Sequence, residues 1–234
     1  MRQIPSALML FAAGFGTRMG RLVADRPKPL LDMAGRTLID RALDLADGAG
    51  ITRKVVNLHY HGDQIEAHLA KRRDISLSWE RDQILETGGG LRAALPLLGP
   101  DPVFTLNPDA VWVGNNPLIQ LRNAWDPARM DGLLLLLPMA RVKGRSGPAD
   151  FLFGADGRLA RAGKTGQHLY LGAQIIRTDG LADIPETSFS LNRLWDQMIT
   201  NGRAYGVIHQ GGWCDVGTPQ GLSDAKALLD AAHV

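Results

Sequence analysis

In the stretch "AAGFGTRMG" (residues 12–20), Gly14 and Gly16 follow Ala12 and Ala13, and Thr17 leads into Arg18. Glycines let backbone amides come close to an anion, and successive amides form a concave, positively charged nest. Arg18 adds a fork of donors matched to phosphate. The spacing is neither the dinucleotide fingerprint nor a Walker loop, and a plain strand-to-helix turn with a solvent-facing arginine fits it as well. Lys28 stands between Pro27 and Pro29 in "RPKPLL". A lysine on so stiff a loop makes a fixed positive charge beside a transferring phosphoryl group, or else an exposed residue in a proline turn. In "LETGGGLRAAL", Glu86 and Thr87 precede Gly88, Gly89 and Gly90. A glycine-lined helix start offers a flat base free amides, and three glycines cost a helix roughly 1 kcal/mol each, so a reason for them is expected. Asp109 in "FTLNPDAVW" and Asp215 in "GGWCDVGTP" both end apolar runs. Strand ends at the carboxyl edge of a sheet are where α/β proteins bind ligands, and two carboxylates there would suit Mg²⁺ completed by phosphate oxygens. Each aspartate alone would read as a helix cap or turn former.

These residues need a scaffold, and the apolar pattern predicts one. "ALMLFAA" (7–13), "KVVNLHY" (54–60), "ISLSW" (75–79), "PVFTLN" (102–107) and "GLLLLLPMA" (132–140) read as strands, several of them apolar on both faces and so covered on both sides. Between them lie helical patterns: "TLIDRALDLADGAG", with Thr37 as N-cap and Gly48 or Gly50 as stop, then "DQIEAHLAKR", "GGLRAALPLL" and "NPLIQLRNAW". Strand–helix alternation predicts parallel β-α-β units and a doubly wound sheet. After residue 140 the pattern predicts a hairpin turning at Asp156-Gly157, a strand in "HLYLGAQIIR", a helix capped by Ser190, one strand through "YGVIHQGGWCDV", and a closing helix with Thr218 as cap and Pro219 at its first position. No repeat or long polar linker divides the chain. It reads as a single domain over 1–234, with a nucleotide-binding half (1–140) and a half (141–234) that closes over it.

Composition narrows the function classes. The 234 residues are 45% hydrophobic and 21% charged, with a net charge of +2, which argues for neither nucleic acid nor a membrane surface as partner. One cysteine, Cys214, excludes an intramolecular disulfide and points to a reducing compartment. No secretory signal pattern is present and "LLLLL" (133–137) is far too short to span a bilayer, so a cytoplasmic protein is expected. His59, His61 and His68 have no carboxylate or cysteine at a ligand spacing, and read as surface or edge residues rather than a metal triad.

Taken in order, these motifs resemble the sugar-1-phosphate nucleotidyltransferase family. "FAAGFGTRM" with "RPKPLL" is similar to its signature, and the likeness continues through "ETGGG", "NPDA" and "YLGAQI" to "WCDVGTP". The resemblance implies an α/β, three-layer αβα fold of Rossmann-like, glycosyltransferase-A-like type around a mostly parallel, mixed sheet. It implies that Ala12, Ala13, Gly14, Gly16 and Thr17 line a nucleoside triphosphate, with Glu86, Thr87, Gly88 and Gly89 at its base. Arg18 would bind the outgoing pyrophosphate, Lys28 would stabilise charge on the α-phosphate, and Asp109 and Asp215 would hold Mg²⁺. Asp150, Lys164, Gly172 and Asn192 are the acceptor-side residues it implies, in a half where the match is looser. Length and "LETGGGLRAALPLLG" look closest to short bacterial members, implying UTP with N-acetylmuramate-1-phosphate, or alternatively GTP with mannose-1-phosphate, and no acetyltransferase domain. A cytidylyltransferase acting on an alcohol phosphate and a catalytically weak, nucleotide-sugar-binding regulatory subunit are the readings of other classes. Oligomeric state is left open. Two positions depart from the family pattern: Pro108 precedes the metal aspartate and brings no amide, and Phe15 fills a position often held by a smaller or charged residue.

Overall fold

The computed structural model describes residues 4–99, 102–142, 147–163 and 165–232. The first half runs β1 (Ala7–Phe11), a 3-10 segment (Thr17–Val23), the short pair β2 (Asp32–Met33) and β3 (Arg36–Thr37), and α1 (Leu38–Gly48). It continues with β4 (Arg53–Leu58), α2 (Gly62–Leu69), β5 (Ile75–Trp79) and α3 (Glu86–Leu98). Then come β6 (Val103–Leu106), β7 (Ala110–Val113), α4 (Pro117–Ala124), β8 (Gly132–Pro138) and the hairpin β9 (Phe151–Phe153) and β10 (Leu159–Arg161). The chain closes with β11 (His168–Ile176), α5 (Asn192–Thr200), β12 (Ala204–Ile208), β13 (Gly212–Asp215) and α6 (Pro219–Ala232).

β1 is apolar throughout because it runs through the middle of a covered sheet. It pairs in parallel with β4 on one side and β6 on the other, and β5 extends the parallel set beyond β4. β11 then joins β6 antiparallel and carries β8 on its far edge, with β12 parallel to β8. The sheet is therefore mixed and takes strands from both halves of the chain. One face is covered by apolar residues of α1, α2 and α4 (Ile39, Leu43, Ile65, Leu118, Leu121), the other by α3 and α5 (Leu91, Leu98, Leu194, Met198). Helices on both faces of a largely parallel sheet make the expected three-layer architecture.

The local signals act as their chemistry requires. Thr37 Oγ1 accepts from the Asp40 amide at 3.2 Å at the head of α1, and Thr218 Oγ1 accepts from Gly221 N at 3.1 Å at the head of α6. Two expectations need correction. Residues 205–216 are two strands, not one. β12 stays in the main sheet, whereas β13 pairs antiparallel with β7 in a separate ribbon. The break falls at Gly211, where any Cβ would overlap the Val113 carbonyl. Ser190 is not the N-cap residue of α5, which begins at Asn192; its Oγ instead accepts from the Asn192 amide at 3.2 Å. Among the described residues no helix is long and apolar enough to cross a membrane.

Candidate active site

The carboxyl ends of β1, β4 and β6 open onto a cavity of about 300 Å³. Ala12, Ala13, Gly14, Gly16, Thr17, Arg18 and Lys28 line one side of it, and Glu86 and Thr87 the other. Gly14 faces open space, with nothing within 4 Å of where a Cβ would stand. Gly16 sits in the left-handed region (φ 64°), and a Cβ there would come 3.1 Å from Lys28 Cβ, so the glycine lets the lysine stem lie against the loop. Glu86, like Ala34 and His61, is a non-glycine residue in this region, and at φ 57° it holds backbone strain on the cavity wall.

A second cavity, of about 220 Å³, adjoins the first. Asp150, Gly172 and Asn192 line it, with Asp215. Gly172 (φ 83°) lies where the register of β11 shifts between Tyr170 and Gln174, and its carbonyl accepts from Asn107 N at 2.8 Å. Such a bulge re-aims a strand beside a site. Burial pushes the Tyr170 phenol above its ordinary pKa, so it faces this cavity protonated. Arg18, Asn107 and Asp109 line both cavities.

At that junction the charges are paired in space although far apart in sequence. Lys28 Nζ donates to Asp109 Oδ2 at 2.7 Å, and the Lys28 side chain is only 9% exposed. The Asp109 carbonyl accepts from Val216 N at 2.8 Å, extending the pairing of β7 with β13, and Asp109 and Asp215 both line the second cavity. Gly217 leaves room for both neighbours: a Cβ there would fall 2.7 Å from Asp215 Oδ2 and 2.9 Å from Arg18 Nη2. Among the described residues no group of three or more His, Cys, Asp and Glu side chains is arranged for a metal. Two carboxylates at one junction fit a cation that takes most of its ligands from phosphate and water.

Several residues at the site escape sequence reasoning. Asn57 Oδ1 accepts from the Ala12 amide at 2.7 Å, and its Nδ2 donates to Glu80 Oε1 at 2.7 Å. Glu80 Oε2 in turn accepts from Leu85 N at 2.7 Å. Glu80 is 2% exposed, and together these bonds tie the loop after β1 to the start of α3. The Ala12 amide is thus already engaged, and Ala12 contributes a wall rather than a free donor. Arg161 and Trp195 line the second cavity without any motif to mark them, beside Trp213 of the "WCDVGTP" segment.

The glycine run packs against the protein itself. Gly88 and Gly89 do not line either cavity. Their amides, two of the unpaired donors every helix start carries, both donate to the Phe189 carbonyl, at 2.8 and 3.1 Å. A Cβ on Gly88 would overlap the Phe189 ring, one on Gly89 the Thr187 carbonyl, and one on Gly90 would stand 2.7 Å from Glu80 Oε1. The glycines admit the 187–189 segment and the Glu80–Asn57 pair. Lys164 lies outside the described residues. His59, His61 and His68 go to three separate partners: the Glu80 carbonyl, the Ala24 carbonyl and the Asp40 carboxylate. Cys214 is buried in the core under α6.

Residues 8–144 match the family described as the MobA-like NTP transferase domain. The chain is 41% identical to N-acetylmuramate alpha-1-phosphate uridylyltransferase of Caulobacter vibrioides, over 99% of this chain and 100% of that protein. It is 32% identical to the protein of the same name from Neisseria meningitidis, over 95% of this chain and 98% of the relative. The fold superposes on a crystal structure of UDP-glucose pyrophosphorylase complexed with UDP-glucose with a TM-score of 0.79, at 15% identity, over 97% of this chain and 99% of that one.

Proposed function

Since this chain belongs to the MobA-like NTP transferase domain family, we propose that it joins UTP and N-acetylmuramate-1-phosphate into the nucleotide sugar, releasing pyrophosphate. The whole-length identity to the two uridylyltransferases supports the choice of substrates. The observation that carries the chemistry is the junction: two cavities share Arg18, Asn107 and Asp109, with Lys28 held on Asp109. The first cavity takes the triphosphate against Ala12, Ala13, Gly14, Gly16 and Thr17, with the base towards Glu86, Thr87 and the buried Glu80. The second takes the sugar phosphate against Asp150, Gly172 and Asn192. The chain works as one catalytic unit, with the first half walling most of the triphosphate cavity and both halves walling the sugar-phosphate cavity.

An oxygen of the sugar phosphate attacks the α-phosphorus in line. A new P–O bond forms as the α–β bridging bond breaks, and pyrophosphate leaves with the electron pair. The attacking phosphate is largely ionised at neutral pH, its second pKa being about 6, so no general base is required. Catalysis is alignment plus charge neutralisation. Lys28 faces the α-phosphate, and Arg18 the departing pyrophosphate. Asp109 and Asp215 would hold Mg²⁺, which supplies Lewis-acid charge stabilisation when bound.

Pyrophosphate release with each common NTP and Mg²⁺, against a panel of sugar-1-phosphates, tests the reading. UTP with N-acetylmuramate-1-phosphate is the pair expected to turn over fastest. GTP with mannose-1-phosphate as the preferred pair would replace the substrates while keeping the reaction. Preference for CTP with an alcohol phosphate would replace the acceptor class. Nucleotide binding with no pyrophosphate from any pair would overturn the enzymatic reading.

A further inference from the structure

We propose that Arg161 reads a carboxylate on the acceptor sugar, making the wall between β10 and α5 a subsite for sugar-1-phosphates that carry an acid group. The inference rests on the reaction proposed above and adds a specificity residue to it.

Arg161 belongs to the second cavity but takes no part in the junction. Its Nε donates to Asp196 Oδ1 at 2.7 Å and its Nη2 to the Asn192 carbonyl at 3.1 Å. The guanidinium lies over the rings of Phe151 and Trp195, 5.2 and 5.7 Å from their centroids. These contacts fix the plane of the fork from three directions. Nη1 makes no hydrogen bond among the described residues. A guanidinium whose plane is already set loses little freedom when it binds a second carboxylate, and Arg is suited to that two-point pairing.

The acceptor chemistry supplies the partner. N-acetylmuramate differs from N-acetylglucosamine by a lactyl ether that ends in a carboxylate, so their 1-phosphates differ by one negative charge away from the phosphate. The phosphate charge is met at the junction by Arg18 and Lys28. With a neutral sugar Arg161 keeps only Asp196, at Nε, as a charged partner, whereas the lactyl acid gives its open Nη1 an acceptor.

The test compares kcat/KM for N-acetylmuramate-1-phosphate and N-acetylglucosamine-1-phosphate, with UTP and Mg²⁺, in the wild type, Arg161→Gln and Asp196→Asn. Losing a charge-assisted hydrogen bond should cut the wild-type preference for the acidic sugar about 10- to 100-fold in Arg161→Gln, mostly through KM. Asp196→Asn breaks the same ion pair but keeps the guanidinium, so it should retain the preference. If both variants lose both acceptors to the same degree, Arg161 only braces the hairpin against α5 and the proposal is wrong. An unchanged preference in Arg161→Gln also overturns it, while leaving the proposed reaction standing. A wild type that prefers the neutral sugar would overturn the substrate assignment and this inference together.

Discussion

Replacing Gly88 by alanine separates two reasons a chain might keep glycines at a helix start. If they keep the backbone bare for a base, alanine should raise helix propensity by about 1 kcal/mol and weaken nucleotide binding. The packing says otherwise. The new Cβ would overlap the Phe189 ring and stand 2.8 Å from the Phe189 carbonyl oxygen. Phe189 is 5% exposed and cannot swing into water without leaving its core. Its segment is also pinned: Phe189 N donates to the Leu85 carbonyl, Leu191 N to Thr87 Oγ1, and Arg92 to the carbonyls of Ile184 and Glu186. Forcing a methyl into so tight a site costs about 1–3 kcal/mol. Loosening the two amide bonds to the Phe189 carbonyl adds about 1 kcal/mol. Against the propensity gain, the net is a destabilisation of about 2 kcal/mol, which in a chain of this length lowers Tm by roughly 4–8 °C. Differential scanning calorimetry of the ligand-free protein reads this directly, with calorimetric titration of UTP as the companion. A higher Tm accompanied by weaker UTP binding would refute the packing argument and restore the base-contact role.

Three other outcomes follow from the site and its surroundings. Lys28→Ala should lower kcat about 10²- to 10³-fold, the cost of losing one donor aimed at developing charge. Stability should fall by about 1–3 kcal/mol, because Lys28 is buried while Asp109 keeps 33% of its side chain in water; stopped-flow turnover and thermal unfolding check the two halves. Chelating divalent cations should abolish turnover, and Asp109→Asn and Asp215→Asn should each raise the Mg²⁺ concentration for half-maximal activity, measured by titrating Mg²⁺ into the stripped protein. His209 is fully buried, and burial, with Arg141 nearby, pulls its pKa down to about 4. The unfolded chain therefore takes up a proton near pH 6.5 while the folded one does not, so stability should fall as pH drops from 6.5 towards 4. Thermal melts across that range should show this slope in the wild type and less of it in His209→Gln.

Much of the scaffold was legible because its signals are local. β5 runs over the expected residues, and Thr37 and Thr218 each accept a first-turn amide of the helix they precede. The Ala12–Arg18 loop, Lys28 and Asp109, each marked by a local motif, line one cavity. What could not be read depends on partners far away in sequence. Asn57 looks like an ordinary strand residue until its bond to Ala12, 45 positions earlier, is seen. Gly88 and Gly89 advertise room, but the sequence does not say that the occupant is a segment 100 residues on. The split of residues 205–216 between two sheets is set by β7, whose pairing with β13 has no local signal. Arg161 is one arginine among many until α5 and the hairpin place it on a cavity wall.

In the proposed reaction transfer is direct: both substrates meet at Asp109, and the α-phosphate passes from one to the other without resting on the protein. Exchange of labelled pyrophosphate into UTP, measured with and without N-acetylmuramate-1-phosphate, tests it most directly. Direct transfer predicts exchange only when the sugar phosphate or its nucleotide product is present. Exchange with UTP and Mg²⁺ alone, at a rate comparable to turnover, would require a nucleotidylated side chain and would contradict the mechanism.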